Sequence, residues 1–265
     1  MNNNIIDWKK YVNHIFCITY LQNNRLDSIK KVFSNIGIDT NDNSFFSFVY
    51  DYEHCIFSEQ YNEMKKLSFD FFNRHTFFKG NRLNYNEHEY LYYVALKVYG
   101  VLKIAQYFKY DRIIIFEDDI RFLKDIDYIK NNLELINTLD FDMCMLQTTF
   151  LDCWHGIKND ILDNVHGVKE AGENILRTAG PLGVYGASFI ILTSHGINKI
   201  IKYFEHNNVV LTLDIFDSIR HLIKLDTIFA LKPLCIQQNM IEEWPNERCM
   251  NENINMIIDE YNNNL

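Results

Sequence analysis

Three carboxylates stand side by side at Glu117, Asp118 and Asp119, directly after the apolar run "IIIF" at 113–116 and just before the chain turns apolar again. Adjacent carboxylates repel one another unless hydrogen bonds or a cation compensate, and a hard divalent ion, manganese or magnesium, accepts oxygen ligands of this kind. In an open α/β sheet, ligands collect at the carboxyl ends of the strands, and the triplet falls at that end of the predicted strand. Neighbouring side chains on a strand point to opposite faces, so not all three need be ligands. The competing reading is a solvated turn in which Asp118 or Asp119 caps the next helix.

The elements that would position these acids follow from hydrophobic spacing. "HIFCITY" at 14–20 predicts a short buried strand. Leu26, Ile29, Val32, Phe33 and Ile36 at helical spacing predict a helix stopped by Gly37. In the aromatic-rich region 45–85, "SFVYDYEHCIF" predicts a strand and the rest does not resolve. A long helix is expected from about Asn86, with Glu89 completing a capping-box-like pair and Leu91, Val94, Ala95, Val98, Leu102, Ala105 and Phe108 on one face. It delivers the chain to the strand "RIIIF". After the triplet, Ile126, Ile129, Leu133 and Ile136 predict a helix, and "FDMCMLQ" predicts an alternating strand. A polar segment from about Thr148 to Pro181 reads as a functional loop. The strand "YGASFIILT", the helix "SHGINKIIKYF", a helix from about Asp214 to Leu225, the strand "TIFAL" and the segment "KPLCIQQ" complete the pattern. Strands alternating with helices predict an α/β fold with a largely parallel or mixed sheet covered on both faces. No internal repeat or Pro, Gly and Ser-rich linker divides it, so one domain over 1–245 and an Asn-rich tail over 246–265 are expected.

Composition narrows the classes. At 265 residues, with 48% hydrophobic and 15% aromatic residues, the chain has enough apolar surface for a large core. A net charge of −9 argues against neutralising nucleic-acid phosphates, so a phosphate ligand would need a local source of positive charge. Cys17, Cys55, Cys144, Cys153, Cys235 and Cys249 show no metal or redox spacing and read as reduced thiols of a cytoplasmic protein. No apolar run has the length of a signal peptide's core or a membrane span, which leaves peripheral contact with the inner face of a membrane as the expected membrane association.

The block "YDRIIIFEDDIRFLKD" resembles the acidic motif of glycosyltransferase family 25, the lipooligosaccharide and collagen-type galactosyl- and glucosyltransferases. Further segments resemble that family in the same order. "IFCITYLQNNRLDSIKKVFSNIGI" is similar to its first strand, arginine-bearing loop and helix. "YGASFIILTSHGINKII" is similar to its Gly-Thr-Ala-Gly-Tyr strand and Ser-x-x-Gly helix start. "LDIFDSI" and "FALKPLCIQQ" are similar to its late Asp-containing helix start and closing Pro-x-x-x-Gln segment. The resemblance spans roughly 14–238. Two features depart from the pattern: Thr19 and Tyr20 stand where the family has Asn-Leu, and "EYLYYVALKVYG" lacks its Gly-Cys and Ser-His signature.

The resemblance implies a GT-A-like, Rossmann-type mixed sheet flanked by helices. It also implies inverting transfer of galactose or glucose from a UDP-sugar to a saccharide, glycoprotein or hydroxylysine-type acceptor, with Mn2+ or Mg2+ as cofactor. A bound metal would neutralise the diphosphate leaving group, which an acidic protein handles poorly. Within that frame Asp119 contacts the metal, with Asp118 as a second ligand, and Glu117 and Asp118 position the ribose or the metal's water shell. Arg25 matches the nucleotide-side arginine, against a reading as a solvated residue at a helix start. Inversion needs a base for the acceptor hydroxyl; Asp214 matches the family's late aspartate, Asp217 is the alternative, and helix capping competes for Asp214. Gly186, with Ala187, would admit close backbone approach, or simply be small residues in a buried strand. Gln237 is assigned to the donor site by the resemblance alone. Asp27 complements a helix dipole, His155, His166 and His195 read as surface or capping residues, and Trp154 anchors the 150–180 loop or stacks on acceptor sugar.

Two other functions fit parts of the pattern. A nucleotidyltransferase also holds a phosphate-bound metal on acids at strand ends, and would release pyrophosphate. A GT-A-like module without turnover, acting as a binding partner, fits the missing Ser-His signature and would show no donor hydrolysis.

Overall fold

The computed structural model describes residues 5–19, 23–50, 66–68, 85–122, 126–146, 149–150, 168–173, 175–178, 184–185, 188–211, 223–230 and 234–237. Alternating strands and helices build a mixed α/β sheet with helices on both faces, as the hydrophobic spacing requires. Eight strands form it: β1 (His14–Ile18), β2 (Phe46–Val49), β3 (Arg112–Glu117), β5 (Met143–Met145), β7 (Val168–Gly172), β8 (Ile175–Thr178), β10 (Phe189–Thr193) and β11 (Thr227–Ala230). Their order across the sheet is β2-β1-β3-β10-β5-β11-β8-β7. β1 pairs parallel with β2 and β3, and β5 pairs parallel with β11, while β10 runs antiparallel between β3 and β5. Two small antiparallel pairs accompany the sheet: β4 (Ile120–Phe122) with β12 (Cys235–Gln237), and β6 (Thr149–Phe150) with β9 (Val184–Tyr185).

Strand alternation splits the core in two. Ile113 and Ile115 of β3 face one cluster, with Val98, Leu102 and Ala105 of α2 (Tyr85–Phe108) and Ile197, Ile200 and Phe204 of α4 (Ser194–Asn207). Ile114 and Phe116 face the other, with Ile29 and Phe33 of α1 (Asn23–Asn35) and Ile129, Leu133 and Ile136 of α3 (Ile126–Asn137). A central sheet buried on both faces explains why the run 113–116 is uninterruptedly apolar. Gly37 stops α1 with φ +84°, a left-handed conformation that side-chain-bearing residues rarely adopt.

Several expectations change. Arg25 lies in the first turn of α1 rather than in a preceding loop. Phe108 is 60% exposed, because α2 ends there and Lys109 turns left-handed; its ring stacks on Tyr110 at 5.7 Å. β5 does not alternate: residues 141–146 are all buried, since β10 and β11 flank it and both core clusters cover its faces. Part of the segment 148–181 is not loop. β7 and β8 form a hairpin, and β8 pairs antiparallel with β11 at the edge of the main sheet, with Ile175, Leu176 and Thr178 buried. The segment "KPLCIQQ" contributes β12. The tail 246–265 and residues 214–222 of the expected late helix lie outside the described residues. No described helix is long and apolar enough to cross a membrane.

Candidate active site

Two parallel strands end together at the acidic turn. Ile18 of β1 is in register with Glu117 of β3, so Thr19, one residue past β1, is brought beside Asp118, one residue past β3. From the other side, Ser188 stands just before β10. Glu117 N–H donates to Ser188 O at 3.2 Å, and the Ser188 hydroxyl donates to Glu117 Oε2 in a very short contact. The turn at 118–119 leads straight into β4, whose partner β12 places the backbone of Gln237 opposite Ile120, next to Asp119.

The three acids are held differently. Asp118 is 3% exposed and points inward: the Thr19 hydroxyl donates to its Oδ2 at 2.6 Å, and Arg25 Nη1 lies 3.5 Å from its Oδ1. The Arg25 side chain is 41% exposed, so in this pair Arg25 is the partner open to solvent. Glu117 is half-buried and engaged by Ser188. Asp119 is also half-buried, but its Oδ1 is buried with no hydrogen-bond partner. Burial, followed by the charges of Glu117 and Asp118, pushes the Asp119 carboxyl up to about 7 against a smaller downward pull from Arg25. A carboxylate oxygen that is dry, unpartnered and crowded by like charge is stabilised by a hard cation.

Among the described residues no group of three or more His, Cys, Asp or Glu side chains is gathered so as to hold a metal by itself. Cys17 and Cys235 are free thiols near the acids. Burial first, then the neighbouring carboxylates, pushes both thiols well up, which leaves them protonated and unreactive.

One interaction had no signal in the sequence. Lys97 of α2 is 2% exposed, within the apolar stripe of its helix, and donates to Thr19 O at 2.9 Å. Its position obeys the helical spacing of core residues, which is why pattern reading passes over it. Ser188 was likewise missed; its only sequence signal is a small polar residue placed immediately before an apolar strand.

A cavity of about 610 Å³ opens at the opposite, amino-terminal edge of the parallel strands, lined by Lys9, Arg112, Asp142, His195 and Lys199 among others. Its charged groups largely answer one another. Asp142, 3% exposed, accepts from Lys199 Nζ at 2.6 Å and from Asp226 N–H at 2.8 Å, and meets His195 Nδ1 at 2.6 Å. Lys9 pairs with Asp42 at 2.8 Å. His195, expected to be a surface or capping residue, is exposed and tied to Asp142 in the first turn of α4. Asp214, Asp217, Gly186, Ala187, Trp154, His155 and His166 lie outside the described residues, as does the side chain of Gln237.

No protein-family model matches the chain, and no curated protein matches it. Among solved structures it is similar to A197 from STIV, at 12% identity over 84% of this chain and 83% of that one, with a TM-score of 0.37. It is similar to mouse xyloside xylosyltransferase 1 in its apo form, at 8% identity over 79% and 80% of the two chains, TM-score 0.34. It is also similar to the galactosyltransferase LgtC in complex with donor and acceptor sugar analogues, at 12% identity over 81% and 73%, TM-score 0.31. At such TM-scores these likenesses carry no weight for function, which has to rest on the site itself.

Proposed function

We propose that the chain is a glycosyltransferase that moves a hexose, galactose or glucose, from a UDP-sugar to a saccharide or hydroxylysine-type acceptor, with inversion and with the help of Mn2+ or Mg2+. The observation that carries this reading is the unpartnered, buried Oδ1 of Asp119, just past the carboxyl end of β3 and beside two other acids. Asp119 would hold the cation, with donor phosphates completing its shell. When bound, the cation would neutralise charge on the departing diphosphate.

The remaining roles belong to side chains. Arg25, anchored by Asp118 and open to solvent, presents a planar cation to the nucleotide side of the donor. Glu117, fixed by Ser188, borders the ribose. Asp118 is given to holding Arg25, because its oxygens are turned toward Thr19 and Arg25. Gly186 and Gln237 are assigned to the donor side by the sequence resemblance alone. Asp214, or Asp217 in its place, would take the proton of the acceptor hydroxyl as its oxygen bonds to the anomeric carbon and UDP departs from the opposite face. The reading places the protein in the cytoplasm, where nucleotide sugars and reduced thiols coexist.

Melting temperature in a panel of nucleotide sugars, with manganese and again with EDTA, tests the proposal. A ligand at 100 times its Kd stabilises by about 2.7 kcal/mol, enough for a visible rise. A manganese-dependent rise with one UDP-sugar and not with other nucleotides is expected. Asp119→Ala should melt as a folded protein, lose that rise, and form no product at saturating donor. Full turnover by Asp119→Ala would remove the metal assignment, and pyrophosphate release in place of UDP would move the protein to the nucleotidyltransferases.

A further inference from the structure

We propose that the buried Lys97 is a positioning residue that fixes the orientation of Arg25 through Thr19 and Asp118. The inference rests on the donor-site reading only for what Arg25 meets; the relay itself is a matter of geometry.

Val94, Ala95, Val98, Val101, Leu102 and Ala105 form the buried stripe of α2, and Lys97, 2% exposed, sits among them. A lysine is almost never fully buried unless it is partnered, and an apolar side chain of similar volume would fill the position without desolvating a polar group. One of its hydrogen bonds goes to Thr19 O at 2.9 Å. Thr19 is the first residue past β1, where the strand has ended and the backbone is free to turn. Its N–H donates to Val49 O at 3.1 Å, so with Lys97 on the carbonyl the peptide groups on both sides of Thr19 are fixed.

A β-branched residue on a fixed backbone has few χ1 choices, and Thr19 uses one that directs its hydroxyl to Asp118 Oδ2 at 2.6 Å. Thr19 is 1% exposed, so water does not compete for that bond. Asp118, held on Oδ2, offers Oδ1 to Arg25 at 3.5 Å. Four positions from α2, the end of β1, the turn after β3 and the first turn of α1 are thus joined in one line that runs from the core to a solvent-open arginine. Lys97 touches no substrate; it acts by deciding where Thr19 points.

The test follows the Arg25 Nε–H signal by 15N NMR, assigned with Arg25→Lys, and the affinity for UDP with manganese by calorimetry. Lys97→Met, which keeps volume, and Thr19→Val, which keeps shape, break the line at different links. Val98→Ala serves as a control that loosens the same helix without touching it. In the wild type the Arg25 signal should be resolved. It should collapse toward the averaged arginine signals in both relay variants and stay put in Val98→Ala, and UDP affinity should fall about 10- to 100-fold in both, the usual loss when an outer residue that orients a contact group is removed. An Arg25 signal unmoved in both variants, or moved equally by Val98→Ala, overturns the proposal. So does UDP affinity that is unchanged in both. If Lys97→Met does not fold, Thr19→Val decides. If the wild type binds no UDP while its Arg25 signal responds as expected, the donor reading falls and the positioning role stands.

Discussion

Asp119 is a burial that the fold tolerates at a cost in stability. Its carboxyl is raised from 3.8 to about 7, chiefly by burial, so the folded chain favours the protonated form more than the unfolded chain does. Below about pH 4 both states carry the proton and the residue costs nothing; between 4 and 7 the unfolded chain has lost a proton that the fold retains, and stability falls as pH rises; above about 7 the penalty is constant. Asp119→Asn should therefore stabilise the metal-free protein at pH 8 by on the order of 1–2 kcal/mol, an advantage that shrinks toward pH 4. Urea denaturation of both proteins at the two pH values measures it. An Asn variant no more stable than the wild type at pH 8 would mean that the acid is not strained. The acidic triplet was legible in the sequence because three adjacent acids after an apolar run are rare and one-dimensional. The division of labour within it was not, because Asp118's partners Thr19 and Arg25 lie about a hundred residues away in the chain and only the register of β1 against β3 brings them together.

At the scale of elements, Asp142 does for the far edge of the sheet what no strand pairing could. It ties the start of β5 to the first turns of α4 through His195 and Lys199, and to the start of β11 through Asp226 N–H. Burial works against its charge, but the Lys199 hydrogen bond, the Asp226 N–H and His195 together outweigh it and hold the carboxyl below its ordinary value. A depressed carboxyl contributes stability above its unfolded pKa and loses it as pH falls through the folded value. Asp142→Asn should accordingly cost about 2 kcal/mol at pH 7 and much less at pH 3, read from urea midpoints at each pH. An equal cost at both would reduce the tie to packing. The helices were readable because 12 to 24 residues of periodic apolar spacing leave a strong signal. β4, β7 and β8 were not, since three to five residues carry too little periodicity, and β8 is a strand only because β11 offers it an edge. Asp142 was hidden for a related reason: polar residues are expected to mark loops, and this one sits where six consecutive buried positions begin to enter the sheet.

Across the whole molecule, the order of strands in space differs sharply from their order in the chain. The parallel trio β2-β1-β3 is complete once residue 117 has been made, yet its open side is β3, with four consecutive buried apolar residues, and the neighbour that covers it, β10, ends only at residue 193. At 5–20 residues per second that strand emerges roughly 4 to 15 s later, and until then an unpaired run of Ile113, Ile114, Ile115 and Phe116 is on offer to any passing chain. Ribosome-bound chains arrested with residue 150 just outside the exit tunnel should be cut by protease within 112–117, and chains arrested with residue 211 outside should be protected there. Protection already present in the shorter chains would mean that another segment covers β3 in the meantime. The geometry that lets Ser188 reach Glu117 thus carries a hazard during synthesis: the same late arrival that completes the acidic edge leaves the newborn polypeptide with an apolar flank to shield.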